Sequence, residues 1–236
     1  MKLTWAVAGL VLGALTLPSQ AARPLLSDDA GTADAGTCQV EMWSDRVGSD
    51  RAVVVAPACG VAPGLEIGID RSWTHRLGGS QAAAGLALKW APAALSFDTA
   101  AGALSLGLKI NGAWSQPTGG SWRSTTAGLL GLATVKAGES FHLHSNLGLA
   151  QDRASGTHAT LLNLGLAWLP GQALLLFTEV QTNSRRDVFG GRVNALGGRW
   201  WLLPDKLGLD LSASRESGAG KPTRWSLGLG WYGIGS

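Results

Sequence analysis

Apolar and polar residues alternate through strand-length segments along most of this chain, and Gly, Pro, Asp or Ser turns close each segment. The clearest run lies between Gly102 and Trp114, where Leu104, Leu106, Leu108, Ile110 and Trp114 share one parity while Ser105, Lys109 and Asn111 share the other. Successive side chains of a strand point to opposite faces, so each such segment has one apolar and one polar side. The alternation predicts about twelve strands, within a range of ten to fourteen, near 37–44, 52–59, 64–74, 80–91, 102–114, 122–137, 140–151, 157–169, 172–183, 191–203, 206–216 and 223–233. Strands of this kind behind a secretion leader predict an all-β fold: a transmembrane antiparallel up-and-down β-barrel with lipid outside and water inside.

The leader is read from Lys2, the apolar run from Trp5 to Leu17, and the small residues Ser19 and Ala21. Its apolar run falls short of the roughly 20 residues that a membrane helix needs. The expected organisation is therefore a signal peptide over 1–21, an acidic periplasmic segment or plug over 22–36, and an outer-membrane barrel over 37–236. An even strand number with both termini in the periplasm requires every second turn to be short. Tight turns at Lys136-Ala137-Gly138, Pro170-Gly171 and Pro204-Asp205 satisfy that rule, while 91–101 does not and suggests an extra half-turn. The opposite connections, near 116–121, 152–156 and 184–189, are only modestly longer.

Composition narrows the choice. The 34 glycines among 236 residues suit curved strands and a crowded lumen. A net charge of +3, carried by scattered basic residues, leaves no nucleic-acid footprint. The chain has 11 Trp and one Tyr, and indole favours the headgroup boundary because its ring is apolar while its N–H needs a partner. Trp43, Trp73, Trp114, Trp122 and Trp225 are expected in the outer belt; Trp90, Trp168, Trp200 or Trp201, and Trp231 in the inner one.

Cys38 and Cys59 are the only cysteines, and their midpoint falls on Gly48-Ser49. Residues equidistant from a hairpin turn face each other, so a disulfide is expected in the oxidising periplasm. Closing that loop is worth roughly 3 kcal/mol in the chain-entropy model. No Cys-x-x-Cys motif or metal-ligand spacing is present, and no cofactor is expected.

Parity places Glu66, Asp70, Lys89, Lys109, His142, His144, Asn146, Asn163, Glu179, Asn183, Arg192, Asn194, Asp210 and Arg224 in the lumen. Both signs occur in similar number, which suggests cross-strand pairing that fills or narrows the interior more than an ion-selective constriction. The acidic run from Asp28 to Asp34 is expected either to fold into the barrel mouth, against bases such as Lys89, Arg192 or Arg224, or to form a loose tail.

Arg23-Pro24-Leu25 with Asp28-Asp29-Ala30-Gly31, then Cys38-Gln39-Val40-Glu41-Met42-Trp43, open the chain. Asn146-Leu147-Gly148 with Asp152-Arg153, Glu179, Arg199-Trp200-Trp201 and Leu209-Asp210 follow. Together these phrases resemble a proteobacterial family of outer-membrane barrels named for the meta-cleavage pathway of phenol degradation. The resemblance implies uptake of small, often aromatic, compounds and no catalytic residues. The last residues depart from the aromatic ending usual in such barrels, reading Trp231-Tyr232-Gly233-Ile234-Gly235-Ser236.

Three functions follow as expectations. The first is a passive channel or transporter for small, aromatic or hydrophobic molecules. The second is a structural or partner-binding barrel with a filled lumen. The third and weakest is a lipid hydrolase, prompted by His142-Leu143-His144-Ser145-Asn146. A strand places adjacent His144 and Ser145 on opposite faces, so they cannot act as base and nucleophile together. Expected partners are outer-membrane lipid, the barrel-assembly machinery and an unidentified solute.

Overall fold

A computed structural model describes residues 25–235; the leader expected over 1–21 lies outside them. Thirteen antiparallel strands follow the alternation: β1 Cys38–Val47, β2 Asp50–Ala62, β3 Leu65–Arg76, β4 Gly79–Trp90, β5 Ser96–Thr99, β6 Gly102–Pro117, β7 Arg123–Ala137, β8 Phe141–Asp152, β9 His158–Gly171, β10 Leu174–Asn183, β11 Val193–Leu203, β12 Leu207–Glu216 and β13 Thr223–Ile234. Each strand pairs with the next except that β4 skips β5 to pair directly with β6, and β1 pairs with β13. The result is a closed barrel of twelve strands with β5 as an accessory. Closure leaves no unpaired edge in the barrel wall, as hydrocarbon requires.

The accessory strand accounts for the irregular stretch 91–101. β4 runs along β6 from Gln81↔Pro117 to Trp90↔Leu108, and β5 resumes the same course from Ser96↔Ser105 to Thr99↔Gly102. The two are one long strand interrupted at Ala91–Leu95, where Pro92 cannot donate to a ladder and a 3-10 turn spans Ala93–Leu95. The excursion packs on the neighbouring turn, with Ala91 N–H donating to the Gly64 carbonyl at 2.8 Å.

Connections differ between the two ends. One end carries Pro63-Gly64, Gly138-Glu139-Ser140, Gln172-Ala173 and Pro204-Asp205-Lys206, and is called the turn end. The other carries the two-residue turns Gly48-Ser49 and Leu77-Gly78 together with the longer stretches 118–122, 153–157, 184–192 and 217–222. A four-residue helix, α1 Arg186–Phe189, lies within the longest of these. This is the loop end.

The barrel is apolar outside and polar inside. Leu86, Leu88, Leu108, Ile110, Leu147, Leu149, Leu164, Leu166, Leu209, Leu211 and Leu227 are exposed on the outer face, whereas Glu66, Lys89, Lys109, Asn146, Glu179, Arg199 and Asp210 are buried within. Lipid is the outer solvent, so this inversion of a water-soluble core is the stable arrangement.

Trp73, Trp114, Trp122 and Trp225 are exposed toward the loop end; Trp90, Trp168, Trp200 and Trp231 are exposed toward the turn end. Phe141 stacks on Trp168 with ring centroids 6.5 Å apart. Trp43 departs from the expected belt. It is 8% exposed and shares the parity of the buried carboxylates Glu41 and Asp45, so its ring belongs to the lumen side. Its place near a strand end suggested the interface, but parity decided.

Cys38 and Cys59 are joined. The β1–β2 ladder pairs them directly and continues to Val47↔Asp50 around Gly48-Ser49.

Candidate functional site

The lumen holds a second layer of chain. Residues before β1 turn back from the turn end and sweep around the inner wall, touching inward side chains of successive strands. Gly36 N–H donates to the Gly60 carbonyl at 2.8 Å and Gly60 N–H to the Thr37 carbonyl at 2.9 Å, fixing the entry against β2. Ala33 N–H donates to Glu66 Oε2 on β3 (2.8 Å), and Ala30 N–H to Thr134 Oγ1 on β7 (2.9 Å). Asp28 exchanges two bonds with Asn146 on β8: its N–H donates to Oδ1 (2.8 Å) and its carbonyl accepts from Nδ2 (2.7 Å). On β10, Glu179 accepts from the N–H groups of Leu26 and Ser27 at 2.7 and 2.8 Å, and from Ser27 Oγ at 3.1 Å. Gln181 Nε2 donates to the Leu26 carbonyl at 3.0 Å.

Sequence makes room for this path. A Cβ on Gly60 would collide with the carbonyl oxygens of Ala33 and Asp34, and one on Gly165 would come within 2.9 Å of Ser27 Oγ. Leu25 supplies an apolar anchor, packed with Ala167, Phe177 and Leu175.

Charge is concentrated at Asp28. One carboxylate oxygen lies 2.7 Å from Lys89 Nζ on β4, the other 2.5 Å from Lys109 Nζ on β6. Both lysines and the aspartate are almost fully buried. Lys89 and Lys109 are direct cross-strand partners; like charges so placed repel, and an anion between them reverses the sign. Asp29 lies 3.2 Å from the same Lys89 nitrogen. Burial alone would raise its carboxyl, but Lys89 and then His144 outweigh that, and the group titrates below its usual range.

A separate buried cluster occupies the opposite wall. Arg199 on β11 makes a bidentate pair with Asp210 on β12, at 2.6 and 2.7 Å, and lies 3.7 Å from Glu41 on β1. Tyr232 on β13 donates its hydroxyl to Glu41. The guanidinium sits 4.9 Å from the ring centres of both Trp201 and Tyr232.

Above the N-terminal segment lies a cavity of about 330 Å³. Leu26 and Asp28 contribute to its floor, Asn111, Asn146, Asn163, Gln181 and Asn183 to its amide-rich wall, and Phe189, Glu216, Lys221 and Arg224 to its loop-end rim.

The expected lumen residues differ in what they meet, and Asn163 and Asn183 line the cavity. Glu66, Lys89, Lys109, Asn146 and Glu179 meet the N-terminal segment directly, and His144 Nδ1 lies 3.0 Å from Thr134 Oγ1. Asp210 joins the Arg199 cluster, Asp70 lies buried beside Gly85, and His142 packs edge-on against His144 at 6.2 Å. Arg224 is part-buried, 4.0 Å from Asp45 near the loop end. Arg192 and Asn194 depart from the expected lumen set: Asn194 is exposed because β11 turns Val193, Ala195, Gly197, Arg199 and Trp201 inward, and Arg192 is exposed in the loop-end connection before that strand. Neither Arg192 nor Arg224 reaches the acidic segment, whose partners are Lys89 and Lys109.

Arg199, Glu41, Asp45 and Thr134 also face inward, beyond the residues that the alternation names. Arg199 was recoverable, since it pairs in register with the inward Asp210. Glu41 and Asp45 share one strand parity, which was also legible.

A closed strand barrel with a lipid-facing apolar exterior and a charged, hydrogen-bonded interior is the architecture of an outer-membrane β-barrel protein. The model of the family described as uncharacterised conserved protein UCP029691 matches residues 10–230, and the chain belongs to that family. No curated protein sequence matches the chain. Among solved structures, the chain is similar to the NanC porin (TM-score 0.61, 8% identity, 82% of this chain and 98% of that one). It is also similar to the KdgM porin (TM-score 0.60, 6% identity, 82% and 98%). The outer membrane phospholipase A of Escherichia coli aligns at TM-score 0.50 with 12% identity, over 87% and 93% of the two chains. At these identities the shared property is the fold.

Proposed function

We propose that this barrel is an outer-membrane channel or transporter for small solutes, resting in a closed state with its N-terminal segment across the lumen. The supporting observation is the cavity of about 330 Å³, which is rimmed by loop-end residues and floored by Leu26 and Asp28. That volume suits one small organic molecule. The floor is held mainly by hydrogen bonds and ion pairs, whose partners water and solute can replace, with Leu25 packed on Ala167 and Phe177.

Solute class is drawn from two sources. The resemblance to the barrel family named for phenol meta-cleavage favours small aromatic compounds, and Phe189, Leu130 and Leu161 give the cavity wall apolar patches. The KdgM porin has been solved in complex with disordered oligogalacturonate, which favours polar cargo through the same fold.

Planar-bilayer conductance of the refolded chain tests the proposal, with Asp28→Asn as the comparison. Rare openings in the parent and frequent, long openings in the variant are expected. Two equally silent, correctly folded barrels would move the filled structural barrel to first place, a reading that the Arg199 cluster favours. A hydrolase has less support, since His144 lies beside Thr134 and is separated from Ser145 by the barrel wall.

A further inference from the structure

The two buried lysines are a site whose occupant belongs to the same chain. Lys89 and Lys109 stand side by side on β4 and β6 with their ammonium groups on the two oxygens of one carboxylate. Glu66 is the cross-strand partner of Lys89 on its other side. Removing the segment takes the Asp28 carboxylate away from two buried ammonium groups, and an anion is the group that restores the lost interaction.

The surroundings specify more than charge. Asn146 gives one acceptor and one donor to the amide groups flanking the Asp28 carboxylate, and Glu179 accepts from N–H and O–H donors beyond it. Both Asp28 and Lys109 also line the cavity above, so the site is continuous with the space open toward the loop end.

We propose that Lys89 and Lys109 form a carboxylate-binding site for a small solute, and that Asp28 occupies it as an internal surrogate. The solute carries one carboxylate with an amide or hydroxyl nearby, enters from the cavity, and displaces Asp28 by taking both ammonium groups. Displacement then releases residues 25–36 from the wall. This deepens the channel reading and rests on it for its consequence, since release is what would open the lumen.

The test is amide hydrogen exchange of residues 26–33 in the refolded full chain. The probe is N-acetyl-aspartic acid α-amide, its asparagine counterpart serves as a neutral control, and sodium chloride matches the ionic strength. Exchange should rise with the aspartate probe in proportion to 1 + [probe]/Kd, reaching about tenfold when the probe stands at ten times its Kd. It should stay near baseline with the control and with salt. Equal acceleration by the aspartate probe and by chloride, or none by either, would overturn the assignment.

Lys109→Gln, with its fold verified by heat-modifiable mobility, should exchange fast already and ignore the probe. A probe response that survives in that variant would place the site elsewhere. Conductance of the same samples separates the two proposals. Probe-driven exchange in a silent barrel would retain the site and reject the channel, and the reverse result would do the opposite.

Discussion

The two buried charge clusters use the same chemistry and are built differently. Arg199, Asp210, Glu41 and Tyr232 all come from neighbouring wall strands, β11, β12, β1 and β13. Lys89 and Lys109 come from the wall, but their shared carboxylate comes from a segment that precedes the first strand. Unpairing Arg199 requires the barrel to distort; unpairing the lysines requires only that a tethered chain move away. One wall is fixed by its own ladder, and the other is completed by a detachable part.

The largest way to sharpen that contrast is Arg199→Met. It leaves Asp210 and Glu41 buried without their guanidinium, and breaking such a pair costs about 3–5 kcal/mol. The urea midpoint of the refolded barrel should fall accordingly; an unchanged midpoint would show that this wall is not held by its charges. Next is the double change Cys38→Ser with Cys59→Ser. A sequence separation of 21 between the linked cysteines corresponds to roughly 3 kcal/mol of lost stability, read in the same titration.

Asp28→Asn should act on the other wall and leave the barrel's unfolding midpoint nearly unchanged. Replacing a charged acceptor by a neutral amide weakens hydrogen bonds worth about 1.5–3 kcal/mol. Exchange of residues 26–33 should quicken by about tenfold or more, since 1.4 kcal/mol is a factor of ten. A fall in the global midpoint as large as that of Arg199→Met would erase the distinction between the walls.

Asp29→Asn is the smallest. Its side chain is 41% exposed, so solvent screening keeps the effect below about 1 kcal/mol. Because Asp29 titrates below its usual range, its contribution to segment binding is complete above that range and is lost as pH falls toward the lowered value. Segment release on acidification should be shallower in Asp29→Asn, and identical acid limbs would remove Asp29 from the interaction.

Most of the fold was legible because lipid on one side and water on the other impose a period of two that few other folds sustain for so long. The pattern weakens where side chains vanish or conflict. In β11, Gly197-Gly198 carries no sidedness, and polar Asn194 pulled the assignment one residue out of phase. At Trp43, residue type and parity gave opposite answers. The segment's path was least legible, since it has no periodicity and is fixed by partners as much as 155 residues away. The sequence carries the segment's charge and a basis for naming Lys89, while parity places Lys109 inward without pointing to Asp28 as its partner.

The disulfide between Cys38 and Cys59 anchors the first strand at the point where the segment leaves the wall. Asp28 is ten positions from that anchor (38 − 28), so a released segment stays within roughly 33–36 Å of its site even when fully extended. A flexible tether of that length presents its end group at an effective concentration in the millimolar range. Any external carboxylate competes against that internal supply. The tether thus sets a concentration threshold: scarce solute leaves the lumen occupied by its own chain, and only abundant or tightly bound solute displaces it.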